Sequence, residues 1–256
     1  MNASADDIPP GTQTLARGLA VVRAVADGAQ DLREVVERTG LGRSTAHRLA
    51  QLLVKEGYLR SGSRGYALGP ALIELGFKAL HGNPLPVVAR PILLELSAQV
   101  LDTVHLAVED GGSVLYLDKI SGTRGAEMRS RIGHRMPLTR TGIGMALLLD
   151  SAERWEPQHA ADDAQTPCTG KSHDSTRFCA RMQAYAHAGA AMDLEDNEPG
   201  IRCVAAPIRD ASRAIVGAVS ISATTPYMPA ERMRGVVPVI RRAAGRISVA
   251  LGYLET

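Results

Sequence analysis

The 256-residue sequence is 45% hydrophobic and 22% charged, which is ordinary for a soluble globular protein of about two domains. Aromatic residues make up only 4%, which argues against the base-stacking surfaces of single-strand and RNA binders. No apolar run reaches the roughly 18 residues that a membrane span needs, and the three cysteines form no paired framework. We therefore expect a cytoplasmic protein with no membrane partner and no cofactor, opening with a disordered polar leader at residues 1–12.

The first structured segment is a predicted helix from about Thr14 to Ala26, with an apolar stripe along one side. Two further segments with helical apolar spacing follow, and Thr39-Gly40-Leu41 separates them. This spacing predicts a helix-turn-helix, because glycine permits the sharp turn between the two helices. Residues 13–69 are therefore expected to form a winged helix-turn-helix domain.

The second helix of the pair carries polar side chains at its start, where recognition helices contact base edges. These side chains are Arg43, Ser44, Thr45, His47 and Arg48. Residues 43–66 hold five basic residues against one acidic residue, a net charge of +4, which is typical of a module that binds a polyanion. The alternative is a basic surface that only faces solvent. We predict contacts with double-stranded DNA.

A hairpin is predicted after the second helix. A strand begins at Gly57-Tyr58-Leu59-Arg60, residues 61–65 hold the glycines and serines of a tight turn, and residues 66–68 form the returning strand. A hairpin in this position is a wing. Arg60 and Arg64 at its edge are predicted to contact DNA phosphates or the minor groove.

Residues 70–83 are predicted to form a linker helix, since Pro70 favours a first helical turn and Gly82-Asn83-Pro84 ends the pattern. Its apolar stripe is broad and comprises Leu72, Ile73, Leu75, Phe77 and Leu80. A stripe of this kind needs a partner. A second copy of the chain would give a homodimer or tetramer, and packing against the winged domain is the alternative.

Residues 84–256 are predicted to form a separate domain in which an antiparallel sheet is flanked by helices, an α+β architecture. The predicted helices span Val88–Leu101, Gly144–Asp150, a stretch from about Ser175, and Ala230–Tyr253. The predicted strands span Thr103–Val108, Ser113–Ile120, Glu127–Ile132, Ile201–Ile208 and Ile215–Ser222. The first two strands, and also the last two, are predicted hairpins.

Several stretches, in this order, resemble the IclR family of bacterial transcriptional regulators. They are TGLGRSTAHRLAQLLVKEGYL at 39–59, RGYALGPALIELG at 64–76, EDNEPGIRCVAAPIRD at 195–210 and AVSIS at 218–222. The resemblance implies a winged helix-turn-helix joined by a helix to a GAF-like effector-binding domain. It also implies homodimers or tetramers on a palindromic operator, responding to a small-molecule effector that is often a carboxylic or aromatic acid.

The resemblance further implies an effector site that holds a small keto acid. The residues implied are Asp193, Cys203, Ser220 and Ser222. The two serines are two residues apart on a predicted strand, so their side chains face the same side. The sequence departs from the family at Gly142-Ile143-Gly144-Met145, because many members have lysine at the position of Met145. This favours a ligand with more apolar surface, whose carboxylate the backbone N–H groups of the turn would bind.

Arg131 and Arg140 flank this turn, and we predict that they clamp a carboxylate; ordinary surface charge is the alternative. Cys203 as a nucleophile would need a base nearby, and no histidine is close to it in the sequence. A zinc site has unfavourably wide spacings; its candidate ligands would be Cys168, His173, Cys179 and His187. His105, on an alternating strand, is predicted to be an interior residue.

Together these patterns predict a ligand-responsive, DNA-binding transcriptional regulator, acting as a repressor, and not an enzyme. Two alternatives remain open. The second domain can serve only oligomerisation, or the protein can bind or convert a metabolite by using Cys203.

Overall fold

The computed structural model describes residues 9, 11–63, 65–81, 84–124, 128–165 and 174–254. The chain divides into two compact units, Met1–Gly82 and Asn83–Thr256. Most of the predicted leader, and the predicted end of the linker helix at residues 82–83, lie outside the described residues.

The first unit combines helices with a two-stranded hairpin. Its described elements are α1 (Gln13–Ala26), α2 (Leu32–Thr39), α3 (Arg43–Lys55), β1 (Leu59–Gly62), β2 (Gly65–Leu68) and α4 (Pro70–His81). Apolar side chains from α1, α2, α3 and β1 pack into a core that includes Val21, Val25, Val35, Ala46, Ala50 and Leu59. The predicted winged helix-turn-helix is confirmed.

Local backbone chemistry sets the turn between α2 and α3. The Asp31 carboxylate caps α2 by accepting a hydrogen bond from the Glu34 N–H at 2.8 Å. Gly40 ends α2 in the left-handed conformation, with φ of 67°, which glycine adopts without steric cost. The next helix begins directly after Gly42. The chain can therefore reverse direction within a few residues.

The hairpin is tied to the connection between α1 and α2. The Tyr66 N–H donates to the Gln30 carbonyl at 2.7 Å. Gly65 has φ of 91°, and a Cβ there would lie 2.0 Å from the Gln30 carbonyl oxygen. Only glycine fits this position, because any side chain would overlap the neighbouring backbone. The hairpin is thereby held against the helical part of the unit.

The described part of the second unit contains a six-stranded antiparallel sheet with helices on both faces. Its elements are α5 (Pro84–Val100), β3 (Thr103–Asp110), β4 (Ser113–Ile120), β5 (Arg135–Pro137), α6 (Gly142–Leu147), α7 (Ala152–Gln165), α8 (Ser175–Ala188), β6 (Ala191–Leu194), β7 (Ile201–Arg209), β8 (Ile215–Thr224) and α9 (Ala230–Ala250). The strand order is β5-β4-β3-β8-β7-β6. The predicted α+β class is confirmed.

The two faces of the sheet differ in side-chain size. The face covered by α5 and α9 carries branched apolar residues, which include Val104, Leu106, Val204, Ile208, Val219 and Ile221. The face covered by α6, α7 and α8 carries small ones on β3, β6, β7 and β8, namely Ala107, Ala191, Ala205 and Ala218, and larger buried ones on β4, namely Val114 and Tyr116. Successive residues of a strand point to opposite faces, so the same strands supply both sets. The small side chains let α6 approach the sheet closely.

Some predicted elements need correction. The third strand was expected at 127–132, but β5 occupies 135–137, and Glu127 lies outside the described residues. The short helix begins at Gly142 rather than Gly144, because the Thr141 hydroxyl accepts from the Gly144 N–H and caps it. Neither α7 nor β6 was predicted. The apolar residues of α7 form no clear stripe, and β6 has only four residues.

Candidate DNA interface and ligand site

The start of α3 presents the predicted contact residues to solvent. Exposed side chains are those of Arg43, Ser44, His47 and Arg48, and Thr45 is half-buried. The opposite side of α3 is fully buried through Ala46 and Ala50. This separation follows from helical periodicity, since residues three to four apart share a face. The polar side chains are therefore free to meet a groove without unpacking the core.

The hairpin adds a second basic edge to the same unit. Arg60 on β1 is exposed, whereas Arg64 lies outside the described residues. An open recess of about 450 Å³ lies beside the hairpin and is lined in part by Gln30, Arg60 and Tyr66. This recess belongs to the first unit, and none of the predicted effector residues lines it.

In the second unit, strand register brings four of the predicted effector residues onto one face of the sheet. Asp193 on β6 is directly opposite Cys203 on β7, and Cys203 is directly opposite Ser222 on β8. Directly opposed residues point to the same face, here the face with the small alanines. Ser220 lies two residues along β8 from Ser222 on that face. We call Asp193, Cys203, Ser220 and Ser222 the polar row.

His105 on β3 is the register partner of Ser220 and is buried. Its Nδ1 lies 3.4 Å from the hydroxyl oxygens of both Ser220 and Ser222. The prediction of an interior histidine is confirmed. The Tyr116 ring lies 5.1 Å from the imidazole, centroid to centroid. His105 and Tyr116 therefore line the polar row from the other side.

Burial controls the ionisation of the polar row. It raises the pKa of the Asp193 carboxyl to about 7, although the Asp196 N–H, which donates to Oδ1 at 2.7 Å, opposes the rise. Burial, followed by the nearby Asp193 charge, raises the pKa of the Cys203 thiol far above its usual range. The hydroxyl of Tyr116 also has a raised pKa, chiefly through burial. The thiol is thus held protonated, which is unsuited to a nucleophile.

The first turn of α6 lies against the polar row. A Cβ on Gly142 would lie 3.3 Å from both the Asp193 backbone nitrogen and the Cys203 Cβ. Residues 142–147 are all buried. The Gly144 N–H donates to the Thr141 hydroxyl at 3.0 Å, and the Met145 N–H donates to the Thr141 carbonyl at 2.9 Å. Of the predicted turn, only the Gly142 and Ile143 N–H groups are left to meet a ligand.

The two predicted clamp residues occupy different environments. Arg140 is buried, and its guanidinium donates to the Asp163 carboxylate on α7 at 2.9 Å. Arg140 is therefore not an ordinary surface charge. Its ion pair with Asp163 holds the guanidinium against α7. Arg131 is exposed in the connection between β4 and β5.

Sequence patterns missed two neighbours of the site. Tyr116 belongs to the same face because β4 pairs it with Ala107 beyond a bulge, and no pattern in the sequence marks that bulge. Ser130 has its hydroxyl 2.7 Å from Nε2 of His105. A serine in a long connection carries no local signal of such a contact.

Two other expectations concern absences. Within the described ranges, no group of His, Cys, Asp and Glu side chains could hold a metal ion. Of the imagined zinc ligands, Cys179 and His187 lie on α8, and Cys168 and His173 fall outside the described residues. No helix in the part of the chain described above is long and apolar enough to cross a bilayer.

One unit of the chain presents an exposed basic recognition helix with a wing. The other unit is a mixed domain that holds the polar row. This combination defines a DNA-binding transcriptional regulator. Residues 14–62 match the IclR helix-turn-helix domain. Residues 77–249 match the bacterial transcriptional regulator IclR C-terminal domain. The chain belongs to the IclR family.

Relatives of known name agree with this assignment. The HTH-type transcriptional regulator KdgR of Escherichia coli (strain K12) is 30% identical over 257 residues, covering 98% of this chain and 97% of KdgR. The crystal structure of a putative transcriptional regulator from Rhodococcus sp. RHA1 has a TM-score of 0.81 and 30% identity, covering 93% and 98%. An IclR homolog from Microbacterium hydrocarbonoxydans, crystallised with 4-hydroxybenzoate, has a TM-score of 0.79 and 25% identity, covering 93% and 98%. KdgR and the matched C-terminal family are named as transcriptional regulators, which agrees with the prediction that this chain is not an enzyme.

Proposed function

We propose that the protein is a ligand-responsive repressor that binds a palindromic operator as a homodimer or tetramer and senses a small carboxylic or aromatic acid. The observation that carries the effector part is the polar row, where four side chains able to bind a ligand share one face of the sheet beneath α6. Such a concentration of polar groups, with Asp193, Ser220 and Ser222 buried, on a largely apolar face is typical of a ligand site.

An acid fits the polar row for electrostatic reasons. Ser220 and Ser222 offer hydroxyl donors, and helix α6, which begins with the Gly142 and Ile143 N–H groups, packs on the same strands. The pKa of about 7 leaves Asp193 mostly uncharged below about pH 6 and about half ionised at pH 7, so it repels an anion less than an ordinary carboxylate does. Tyr116, whose ring lies beside His105, and Met145, which is buried in α6, favour a ligand with apolar surface. The Microbacterium relative crystallised with 4-hydroxybenzoate supports an aromatic acid.

The exposed start of α3 supports DNA binding through the major groove. Arginine at such a position makes paired hydrogen bonds to guanine, and phosphate contacts from Arg60 would add affinity without sequence choice. Repression follows if the occupied operator overlaps a promoter, because the bound protein then excludes polymerase. We also propose Ser44, Thr45, His47 and Arg64 as DNA contacts.

Exposed apolar side chains on α4 support self-association. Ile73 and Phe77, one turn apart on one side of the helix, are exposed by 64% and 58% in the single chain, and Leu75 on the other side is exposed by 46%. Large apolar side chains clustered on one short helix usually pack against a partner, and two copies related by a two-fold axis match a palindromic site. The replacement Ile73→Asp should lower the molar mass measured by light scattering towards that of the monomer, whereas Lys78→Asp should not.

The decisive experiment combines thermal shift with DNA release. The protein is screened against benzoate, 4-hydroxybenzoate, pyruvate and related acids, and the best ligand is then added to a complex with a duplex selected from a random library. We expect one acid to raise Tm and to change the fraction of DNA bound, since a ligand that prefers the native fold stabilises it. Ser222→Ala should weaken both effects.

A contrary result has a clear meaning. If no acid raises Tm at concentrations far above plausible dissociation constants, the second unit serves oligomerisation alone. The repressor assignment is tested separately by transcription in vitro from a promoter that contains the selected site. Increased transcript on adding the protein would contradict it.

A further inference from the structure

A chain of polar contacts runs from the β4–β5 connection to the polar row. His105 is 3% exposed, and its Nε2 lies 2.7 Å from the Ser130 hydroxyl oxygen. Its Nδ1 lies 3.4 Å from the hydroxyl oxygens of both Ser220 and Ser222. A single imidazole therefore joins the connection to both serines.

Lys119 holds the outer end of this chain in place. Its ammonium donates to the Met128 carbonyl at 2.7 Å and to the Ser130 carbonyl at 2.9 Å. Because the Ser130 carbonyl binds the ammonium and the hydroxyl of the same residue meets Nε2, we expect the ammonium to lie closer to Nε2 than to Nδ1. A positive charge there favours a bare lone pair on Nε2 over an N–H directed towards the charge.

The imidazole is neutral. Burial, and then the charge of Lys119, lowers the pKa of His105 to about 3. A neutral imidazole has one donor nitrogen and one acceptor nitrogen, so the two ends of the ring must play opposite roles. The direction of every hydrogen bond in the chain then depends on one proton.

We propose that His105, Ser130 and Lys119 are positioning residues for an anionic effector. The Ser130 hydroxyl donates to Nε2, Nδ1–H donates to the oxygen of Ser220 or Ser222, and both serine hydroxyl protons are left for the ligand. This inference rests on the proposed function of the polar row. Each donor in such a line polarises the next, which strengthens the last bond.

The direction of the chain selects the class of ligand. With the proton on Nδ1, the serines donate outwards and suit an acceptor such as a carboxylate. With the proton on Nε2, a serine would donate to Nδ1 and offer its oxygen to the ligand, which suits a hydroxyl or amine donor. The arrangement around Lys119 therefore favours acids over neutral donors.

The first test reads the position of the proton directly. Nitrogen-15 spectra of the histidine rings, in the full-length protein without ligand, should show a Nδ1–H tautomer for His105 that does not change between pH 5 and 8. The signal is assigned by its absence in His105→Gln. A Nε2–H tautomer, with or without bound acid, would overturn the inference.

The second test uses a matched pair of serines on the same connection. Ser130→Ala should weaken binding of the best carboxylate probe by about fivefold to tenfold, because the ring loses the donor that holds its tautomer. Ser121→Ala, at an exposed position, should leave the dissociation constant unchanged. Equal dissociation constants for the two variants would refute the inference. If the unmodified protein binds no acid, the proposed effector function fails and the positioning role fails with it; if acid binds but the tautomer is Nε2–H, only the inference fails.

Discussion

Asp193 lies directly opposite Cys203 across the β6–β7 pair. Burial raises the pKa of both groups, to about 7 for the carboxyl and beyond the usual range for the thiol. Of the two side chains closest to Gly142, the thiol is therefore neutral at pH 7, whereas the carboxyl is mostly neutral below about pH 6 and about half ionised at pH 7. A site that carries no charge of its own can receive an anion without repulsion, and a site that ionises as pH rises loses this property.

Asp193 should make stability depend on pH in a defined direction. The pKa of Asp193 in the folded state lies above the ordinary carboxyl value of 3.8. Its contribution to the free energy of unfolding is therefore fully present below about pH 4 and is lost as pH rises through about 7. The loss is at most about 1.4 kcal/mol per pH unit in that window. Asp193→Asn removes this titration. Chemical denaturation between pH 4 and 8 should show that the free energy of unfolding of the variant rises relative to that of wild type as pH increases. Parallel curves of the two free energies against pH would contradict the assignment.

Arg48 should contribute directly to DNA affinity. Its exposed side chain lies near the start of α3, and loss of an arginine contact to a base costs about 1–3 kcal/mol. Arg48→Ala should therefore weaken binding to the selected duplex by about fivefold to 150-fold at moderate salt. Arg234→Ala changes an exposed arginine of the second unit and serves as the control. Undiminished affinity in a mobility shift would remove Arg48 from the interface.

Arg60 should increase DNA affinity by pairing with phosphate charge rather than by recognising the base sequence. Each phosphate contact contributes about 0.9 to the slope of log K against log salt. Arg60→Ala should reduce the magnitude of that slope by about one, with equal loss on specific and random duplexes. Fluorescence anisotropy titrations over a range of salt concentrations measure this. A loss confined to the specific duplex would instead assign Arg60 to base contact.

Gly144 should be essential to the packing of α6. A Cβ at this position would lie 2.2 Å from the Leu138 carbonyl oxygen. Gly144→Ala should lower the free energy of unfolding by at least about 1 kcal/mol, because the backbone has to shift. In Gly245→Ala the new Cβ meets nothing within 4 Å, and alanine should stabilise helix α9 by about 0.5–1 kcal/mol. Thermal or urea denaturation should therefore move the two variants in opposite directions.

Local patterns were sufficient for the DNA-binding unit. The polar start of α3 and the glycine-containing turns depend on residues close together in the sequence, where helical spacing and the left-handed freedom of Gly40 act directly. The serine pair was also predictable, because alternation along a strand places Ser220 and Ser222 on one face whatever else the chain does.

Tertiary structure decided what surrounds those serines. His105 meets Ser220 across a separation of 115 residues, and the pairing of β3 with β8 that joins them depends on which faces bury best against α5 and α9. The short strand β6 gains its place opposite β7 in the same way, and so brings Asp193 to the site. Packing also buries Arg140 against Asp163, although its sequence neighbourhood suggested a ligand clamp or a surface charge. Backbone preferences act over a few residues, whereas burial and strand register are properties of the whole chain.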